Sequence, residues 1–351
     1  MIRVLIVDDS LTTREYLKHV IDADPALFLI GEAASGNEAV DKVKYLKPDV
    51  VIMDIQMPGM DGYAATREIM ENHPVPIVIH STLVSPEQSD NIFAAMSAGA
   101  VAVAEKPPGI GHPESGAITR KLLRTVKLMS EVRVVQRKKI IKDRPSRVRQ
   151  PSILKTAQRD REIVCIGAST GGPPVIQIIL SGLDDDFSLP VIVVQHIAKG
   201  FLSGMIHWLE SYTKKPMLIA RTGDYLRDGH IYFAPEDINL KVTRNKQLIN
   251  EGESPVSPLK RPITHLFSSV ARAYSRGAIA VLLTGMGNDG AVGLKELRDS
   301  GAATIVQDRD SSVIFGMPGE AIKLDAADLI LTPEEIITYL NSIMKVKRRI
   351  G

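Results

Sequence analysis

The sequence of 351 residues contains one cysteine, Cys165, which excludes an intramolecular disulfide. A disulfide-stapled secreted fold is therefore ruled out, and a reducing compartment is favoured. Cys165 stands inside an apolar run, so we expect a buried small side chain and not a reactive thiol. No apolar segment approaches the roughly 18 residues that span a bilayer, and the first apolar run is too short for the core of a signal peptide. We expect a soluble, cytoplasmic protein without membrane insertion.

A large excess of charge of one sign is also absent. The sequence contains 43 Lys and Arg residues and 41 Asp and Glu residues, which gives a net charge of +2. This small charge gives no reason to expect that the whole chain binds a polyanion. The contents of 44% hydrophobic and 24% charged residues are globular values, and the length accommodates two domains. His207, His230 and His265 lack metal-ligand spacing, so a zinc hydrolase is not expected.

Residues 163–174 read Ile-Val-Cys-Ile-Gly-Ala-Ser-Thr-Gly-Gly-Pro-Pro and predict a strand that turns sharply into a helix. The turn residue of such a unit is expected to stand exposed at the carboxyl edge of the sheet, beside unpaired helix N–H groups. Gly167-x-Ser169-x-Gly171 fits the G-x-S-x-G nucleophile elbow, and the Thr170 N–H is a candidate oxyanion donor. The same turn also fits a phosphate cradle or a close packing point, and the motif alone leaves all three open.

The first 136 residues alternate short apolar runs with helical patterns. Strands are predicted at 4–7, 28–33, 50–53, 77–79 and 101–104, and helices at 12–21, 38–46, 64–71, 91–98 and from about 118 onwards. Such alternation predicts a parallel sheet covered by helices on both faces. Its functional groups are expected at the carboxyl ends of the strands.

Polar residues follow four of these strands, at the expected edge of the sheet: Asp8 and Asp9, Asp54, Ser81 with Thr82, and Lys106. Three carboxylates brought together repel one another, and a hard divalent cation such as Mg²⁺ best offsets their charge. A lysine and a hydroxyl opposite them would suit a phosphoryl group on one carboxylate. In the alternative interpretation, the aspartates only cap a helix and open a turn. This does not explain why the polar residues follow several strands at the same edge of the sheet.

These residues, together with Met57-Pro58-Gly59-Met60-Asp61-Gly62 and Lys106-Pro107, resemble a response-regulator receiver domain over about the first 125 residues. The resemblance implies a flavodoxin-like fold in which Asp54 accepts a phosphoryl group from a histidine kinase. Mg²⁺ would be held by Asp8, Asp9 and Asp54, and the phosphoryl oxygens would contact Ser81 and Lys106. Many receivers carry an aromatic switch residue where this chain has Val103, which puts the usual rotamer coupling in question.

Residues 126–159 are predicted to form the end of the last receiver helix and a basic linker. Residues 133–149 contain eight Lys or Arg and one acid, Asp143, a composition typical of a solvated, self-repelling connector. A nucleic-acid patch is the alternative, but no aromatic residue is interleaved for stacking and no helix-turn-helix pattern follows.

The alternation of strands and helices resumes from about residue 160. Apolar runs at 191–196 and 278–283 predict two further strands, and the first ends in His196. If both strands lie parallel beside the strand before Ser169, then Ser169, His196 and Asp289 share one sheet edge. A serine hydroxyl needs an imidazole to take its proton, and the imidazole needs a carboxylate to orient it. A structural histidine and an Asx-capped turn are the alternatives, which the residues alone leave open.

Residues 167–172, Gln195-His196, residues 283–290 (Leu-Thr-Gly-Met-Gly-Asn-Asp-Gly) and residues 315–319 (Phe-Gly-Met-Pro-Gly) resemble the effector domain of chemotaxis receptor methylesterases. The resemblance implies a doubly wound parallel-sheet α/β hydrolytic domain over residues 160–351, needing no cofactor. Its substrates would be glutamyl methyl esters, and particular glutamines, on the cytoplasmic domains of chemoreceptors. Ser169 would be the nucleophile, His196 the general base and acid, and Asp289 the orienting carboxylate. The N–H groups of Thr170 and Met286 would serve the oxyanion, and a chemotaxis histidine kinase would phosphorylate Asp54.

One departure from that family lies between residues 254 and 267, where Thr264 replaces a commonly acidic residue. We interpret it as the loss of a carboxylate near the rim of the active site. The identity of the substrate is therefore left open, and the chain could serve a second chemosensory array or a non-motility pathway.

As a regulatory hypothesis, the unphosphorylated receiver hinders access to the edge that carries Ser169. Two rival functions are a DNA-binding response regulator, for which no recognition helix or basic face is visible, and a nucleotide-binding module, which lacks G-x-G-x-x-G spacing.

Overall fold

The computed structural model describes residues 1–81, 86–107, 112–132, 134, 161–236, 238–252 and 261–350, with the backbone alone described at 86–90 and 345–350. The chain divides into two units, Met1–Asp143 and Arg144–Gly351. Most of the predicted linker at 126–159 lies outside the described residues, apart from a helix that ends at Met129. Within the described parts of the chain, no helix has the length and apolar character needed to cross a bilayer.

The described part of the first unit alternates strands with helices. In chain order these are β1 Ile2–Val7, α1 Leu11–Asp22, β2 Leu27–Ala33, α2 Gly36–Leu46, β3 Val50–Met53, α3 Gly62–Asn72, β4 Ile77–Ser81, α4 Pro86–Ala98, β5 Ala102–Glu105 and α5 Ser115–Met129. The strands form one parallel sheet in the order β2-β1-β3-β4-β5. The predicted flavodoxin-like α/β architecture is confirmed, and every strand predicted from the apolar runs overlaps an observed one.

Side-chain caps explain where the first helices of this unit begin. The Ser10 hydroxyl accepts the Thr13 N–H, the Ser35 hydroxyl accepts the Glu38 N–H, and the Asp61 carboxylate accepts the Ala64 N–H. Each cap satisfies an N–H group that has no partner inside the helix. Because α1 and α3 begin at these caps, only a few residues separate the end of each preceding strand from the helix that follows it.

The described part of the second unit is also α/β. Its elements are β6 Ile163–Ala168, α6 Gly172–Ser181, β7 Val191–Gln195, α7 Leu202–Glu210, β8 Met217–Ile219, β9 Ile231–Phe233, β10 Asn239–Val242, β11 Leu248–Glu251, α8 Pro262–Tyr274, β12 Ala278–Leu282, α9 Ala291–Asp299, β13 Ala303–Gln307, α10 Met317–Lys323, β14 Leu329–Leu331 and α11 Pro333–Ile350. Seven strands form a parallel sheet in the order β14-β13-β12-β6-β7-β9-β8, and β10 and β11 form an antiparallel pair. The predicted doubly wound parallel sheet is confirmed.

Strand β6 occupies the centre of this sheet, between β7 and β12. Gly167 on β6 is in register with Val194 on β7 and with Leu282 on β12, and both pairings are parallel. The condition stated from the sequence, that the three strands are parallel neighbours, is therefore confirmed. Because β7 and β12 lie on opposite sides of β6, the carboxyl ends of these strands form a topological switch point, which is where open α/β sheets bind their ligands.

Helix α8 packs on one face of the central strands. Its residues Leu266, Phe267 and Val270 are fully buried in one cluster with Cys165 and Leu282. Complete burial raises the pKa of the Cys165 thiol, which confirms the expectation of a buried side chain that is not reactive. The same packing fixes the first turn of α8 against the carboxyl end of the sheet.

Candidate active site and phosphoacceptor site

The turn after β6 holds Ser169 through backbone hydrogen bonds on both sides. The Ser169 N–H donates to the Thr284 carbonyl at 3.1 Å, and the Ser169 carbonyl accepts the Gly172 N–H at 2.8 Å. Gly171 adopts the left-handed conformation with a φ of 77°, which glycine enters without steric cost. Among the described residues, Ser169 is not one of those with a positive φ. The left-handed conformation of Gly171 thus makes the turn sharp, and the backbone of Ser169 is not strained.

The expectation that the Ser169 side chain stands exposed was wrong, since the residue is 8% exposed. A segment far along the chain closes over this turn: a Cβ added to Gly171 would lie 2.6 Å from the Val313 Cβ. The loop after β12 also approaches closely, because a Cβ added to Gly285 would lie 2.6 Å from the Ser169 Cβ. Ser169 is therefore enclosed by residues that local sequence could not reveal.

His196 and Asp289 meet beside this turn. The imidazole Nε2 lies 2.8 Å from the Asp289 Oδ2, and the His196 N–H donates to the Ala168 carbonyl at 2.9 Å. A carboxylate only accepts hydrogen bonds, so Nε2 carries the proton and the neutral ring keeps Nδ1 as an acceptor. Within the described residues, no hydrogen bond joins the Ser169 hydroxyl to the imidazole. Catalytic hydrogen bonds are often long before substrate binds, so this geometry does not count against the pair.

The Asp289 carboxylate accepts hydrogen bonds at both oxygens. Oδ1 accepts the Thr264 N–H at 2.9 Å, the Thr264 hydroxyl at 2.7 Å and the Gly290 N–H at 2.8 Å. Oδ2 accepts the Ile263 N–H at 3.1 Å in addition to the His196 ring. Burial opposes ionisation, but the hydrogen bonds from His196 and Thr264 outweigh it and lower the pKa of Asp289. The carboxylate is thus held ionised and in one orientation.

Thr264 was interpreted from the sequence only as a missing acid near the rim. The structure places its hydroxyl against Asp289, because the first turn of α8 presents its unpaired N–H groups to that carboxylate. No local signal in the sequence indicates this contact, because Thr264 and Asp289 are 25 residues apart.

Gln195 is a second residue whose position the sequence did not predict. Its side-chain amide donates to the Ser169 carbonyl and to the His196 carbonyl, both at 2.8 Å. It therefore connects the backbone of the strand end that carries the serine to that of the strand end that carries the histidine. A Cβ added to Gly172 would lie 2.1 Å from the Gln195 Oε1, so the second glycine of the Gly171-Gly172 pair leaves room for this bridge.

The two predicted oxyanion donors lie in the loops after β6 and β12. Among the described residues, neither the Thr170 N–H nor the Met286 N–H donates a hydrogen bond. Thr170 is fixed through its carbonyl, which accepts the Thr284 hydroxyl at 3.0 Å, and Gly285 is fixed through its carbonyl, which accepts the Met317 N–H at 2.9 Å. Their role toward an oxyanion stays a prediction.

The predicted acidic cluster of the first unit is also brought together. One carboxylate oxygen from each of Asp8, Asp9 and Asp54 lies within 4.8 Å of the others. The Lys106 Nζ lies 2.9 Å from the Asp8 Oδ2 and 2.8 Å from the Asp54 Oδ2. Burial alone would lower the pKa of Lys106, but its bonds to Asp54 and Asp8 raise it above the usual value. Three converging carboxylates fit a hard divalent cation such as Mg²⁺.

The remaining predicted receiver residues lie at neighbouring strand ends. Ser81 is the buried last residue of β4, and its carbonyl accepts the Lys106 N–H at 3.0 Å. Val103 is half-buried in β5. Thr82 lies outside the described residues.

The chain matches two protein-family models. The model described as "Response regulator receiver domain" matches residues 4–112, and the model described as "CheB methylesterase" matches residues 164–340. A "Protein-glutamate methylesterase/protein-glutamine glutaminase 4" of Geobacter metallireducens is 47% identical over 99% of this chain and 100% of that protein. A "Protein-glutamate methylesterase/protein-glutamine glutaminase" of Nitrosospira multiformis is 42% identical over 98% of this chain and 97% of that protein. The solved catalytic domain of Thermotoga maritima CheB methylesterase is 31% identical, with a TM-score of 0.48, over 53% of this chain and 100% of that one.

Proposed function

Because this chain belongs to the CheB methylesterase family and carries a receiver domain ahead of its methylesterase domain, we propose that Ser169, His196 and Asp289 are its catalytic triad. The enzyme is a protein-glutamate methylesterase and protein-glutamine glutaminase. The observation that carries the assignment is the 2.8 Å contact between His196 Nε2 and Asp289 Oδ2, beside the turn that holds Ser169.

In the first half of the reaction, the Ser169 Oγ attacks the ester carbonyl of a glutamyl methyl ester. His196 accepts the serine proton at Nδ1, while Asp289 stabilises the imidazolium through Nε2. The His196 proton then passes to the methoxy oxygen, the bond from the carbonyl carbon to that oxygen breaks, and methanol leaves. The glutamyl group remains as an ester of Ser169.

In the second half, His196 takes a proton from water, and the resulting hydroxide attacks the acyl-enzyme. The carbonyl–Oγ bond breaks, Ser169 regains its proton from His196, and a glutamate carboxylate is released. The Thr170 and Met286 N–H groups would stabilise the oxyanion in both halves. General acid–base catalysis raises the rate by on the order of 10²–10⁴-fold, and one oxyanion donor raises it by about 10²–10³-fold.

A glutamine side chain would follow the same steps as the ester. The leaving group is then ammonia in place of methanol, and His196 again supplies the departing proton. The amide nitrogen is a poorer leaving group than an alkoxide, so the protonated imidazole matters more for this substrate. The proposal therefore assigns one triad to both reactions.

The first domain regulates this chemistry by phosphorylation of Asp54. A histidine kinase supplies the phosphoryl group, and Asp8, Asp9 and Asp54 would hold the Mg²⁺ that neutralises the developing charge during transfer. A phosphoryl group carries about −1.5 to −2 charges at pH 7, and because it replaces the single charge of the carboxylate, the net addition at Asp54 is about −0.5 to −1. A hundredfold rise in activity requires the phosphorylated form to favour the active state by about 2.7 kcal/mol, at 1.4 kcal/mol per tenfold change.

The substrates would be the cytoplasmic domains of methyl-accepting chemoreceptors, which places the enzyme in the cytoplasm as part of adaptation in chemotaxis. A non-motility pathway with similar receptors is the alternative for its cellular role. The serine-centred triad of the second domain favours this function over a DNA-binding output domain.

The proposal is tested by methanol release from methylated receptor membranes with full-length protein, with and without acetyl phosphate and Mg²⁺. We expect Ser169→Ala to abolish nearly all release, because triad residues act as a unit. Release by the wild type should rise with the phosphodonor, and this rise should disappear in Asp54→Asn. Equal release by Ser169→Ala and the wild type would contradict the triad, and a phosphodonor effect that survives in Asp54→Asn would contradict the regulation.

A further inference from the structure

The hydroxyl of Thr264 takes part in two hydrogen bonds at the triad carboxylate. It donates to the Asp289 Oδ1 at 2.7 Å and accepts the Gly290 N–H at 2.8 Å. Since the oxygen accepts the Gly290 N–H, its own proton is directed at the carboxylate. Thr264 is thus connected both to Asp289 and to the backbone of the next residue.

The backbone donors to Asp289 come from the same two places, the first turn of α8 and the loop after β12. Among the described residues, the Thr264 hydroxyl is the side-chain donor on Oδ1, while the His196 ring is the side-chain donor on Oδ2. Rotation of the carboxylate away from the imidazole would break the Thr264 bond. The hydroxyl therefore opposes the motion that would misalign Asp289 and His196.

We infer that Thr264 is a positioning residue of the esterase, which fixes the Asp289 carboxylate so that its Oδ2 orients the His196 ring. It acts through Asp289 and touches no reacting atom, and the inference rests on the triad proposed above. This role replaces the interpretation of Thr264 as only the loss of a carboxylate near the rim of the active site. The neutral hydroxyl donates to the Asp289 carboxylate without adding a charge beside it.

The test uses two substitutions of Thr264 in the full-length protein. Thr264→Val keeps the shape of the side chain but removes the hydroxyl, and Thr264→Ser keeps the hydroxyl. We expect Thr264→Val to lower kcat for methanol release by roughly ten- to a hundredfold, as for loss of one hydrogen bond to a charged group, with KM unchanged. Thr264→Ser should recover kcat to within about threefold of the wild type, because the donor is restored.

The chain offers a matched control in Thr304. Its hydroxyl donates to the Asp328 Oδ2 at 3.1 Å and accepts the Asp328 N–H at 3.1 Å, so it is the same kind of Thr–Asp pair away from the triad. Thr304 is fully buried, so Thr304→Val removes a comparable hydrogen bond. We expect this variant to lower the Tm while leaving kcat within about twofold of the wild type.

Three results would overturn the inference: equal losses of kcat in Thr264→Val and Thr304→Val, a loss confined to KM, or no recovery in Thr264→Ser. Asp289→Asn and Ser169→Ala, measured alongside, separate this failure from failure of the triad. If both of these lose turnover while Thr264→Val keeps it, the triad stands and the positioning role is wrong. If both keep wild-type turnover, the triad and the positioning role are both wrong.

Discussion

Asp54 in the first domain and Asp289 in the second are both buried at the carboxyl edge of a parallel sheet, and the two carboxylates are held by different kinds of partner. Asp54 is bonded to the Ile55 N–H at 2.8 Å and to the charged Lys106 at 2.8 Å. Asp289 is surrounded by neutral donors from α8 and from the following residue, with the His196 ring on its other oxygen. Asp54 is thus held by the full charge of a lysine side chain, whereas Asp289 is held largely by the dipoles of backbone N–H groups.

This difference matches the role proposed for each carboxylate. A phosphoacceptor must take on a new charged group, and the ammonium of a lysine side chain can bond to the added phosphoryl oxygens. An orienting carboxylate must stay ionised and still while a proton moves through the imidazole, and backbone N–H groups cost no reorganisation at that moment. Asp54 and Asp289 are thus similarly buried at strand ends, but the first would have to accept a new group whereas the second would have to stay in place.

The comparison between the two aspartates is tested most strongly by neutralising Asp289 and Asp54 in separate variants. Asp289→Asn should lower kcat for methanol release by about 10³–10⁴-fold, because an amide no longer sets the imidazole tautomer. It should leave phosphorylation of Asp54 by labelled acetyl phosphate unchanged. Asp54→Asn should do the reverse, with no label incorporated and the unstimulated rate of methanol release retained. Loss of both activities in either variant would show that the two sites are not separable in this way.

A smaller effect is expected when the Lys106 ammonium is removed from the first domain. Lys106→Met leaves Asp8 and Asp54 buried without their common cation, which should cost roughly 3–5 kcal/mol of unfolding free energy. Added Mg²⁺ should restore part of that loss, because an ion that binds only the folded state stabilises it. Thermal unfolding with and without Mg²⁺ measures both effects.

The exposed pair between Lys295 and Asp299 supplies the control for this experiment. Lys295→Met should change the unfolding free energy by less than about 1 kcal/mol, and Mg²⁺ should stabilise it by the same amount as the wild type, because its three aspartates are unchanged. Equal destabilisation by the two lysine variants would mean that Lys106 does not compensate the buried carboxylates.

The smallest of the three effects concerns the backbone bridge between serine and histidine. Gly172→Ala places a Cβ 2.1 Å from the Gln195 Oε1 and must displace the amide that joins the Ser169 and His196 carbonyls. We expect kcat for methanol release to fall about tenfold, since small displacements of catalytic groups reduce turnover. Gly252→Ala is the control, because a Cβ there meets nothing within 4 Å. A Gly172→Ala enzyme as active as Gly252→Ala would show that the bridge does not set the geometry.

Much of the fold follows from local patterns in the chain. Apolar runs such as residues 50–53 became β3 with the predicted bounds, because a strand covered on both faces must be apolar throughout. Short strands such as β8 and β14, three residues each, carry too little periodicity to be predicted. The antiparallel pair β10–β11 was also missed, because each of its four-residue strands has only two apolar residues, whereas β3 is apolar throughout.

The sequence by itself determined which chemical groups stand at strand ends: the aspartates and lysine of the first domain, and Ser169, His196 and Asp289 of the second. Polar residues directly after buried strands must lie at the carboxyl edge of a parallel sheet, so their class of site could be predicted. Only the tertiary structure decided that β6 lies between β7 and β12, that Val313 closes over the serine turn, and that Thr264 contacts Asp289. These contacts join residues far apart in the chain, and it is packing of the whole domain, not local preference, that brings them within hydrogen-bond distance.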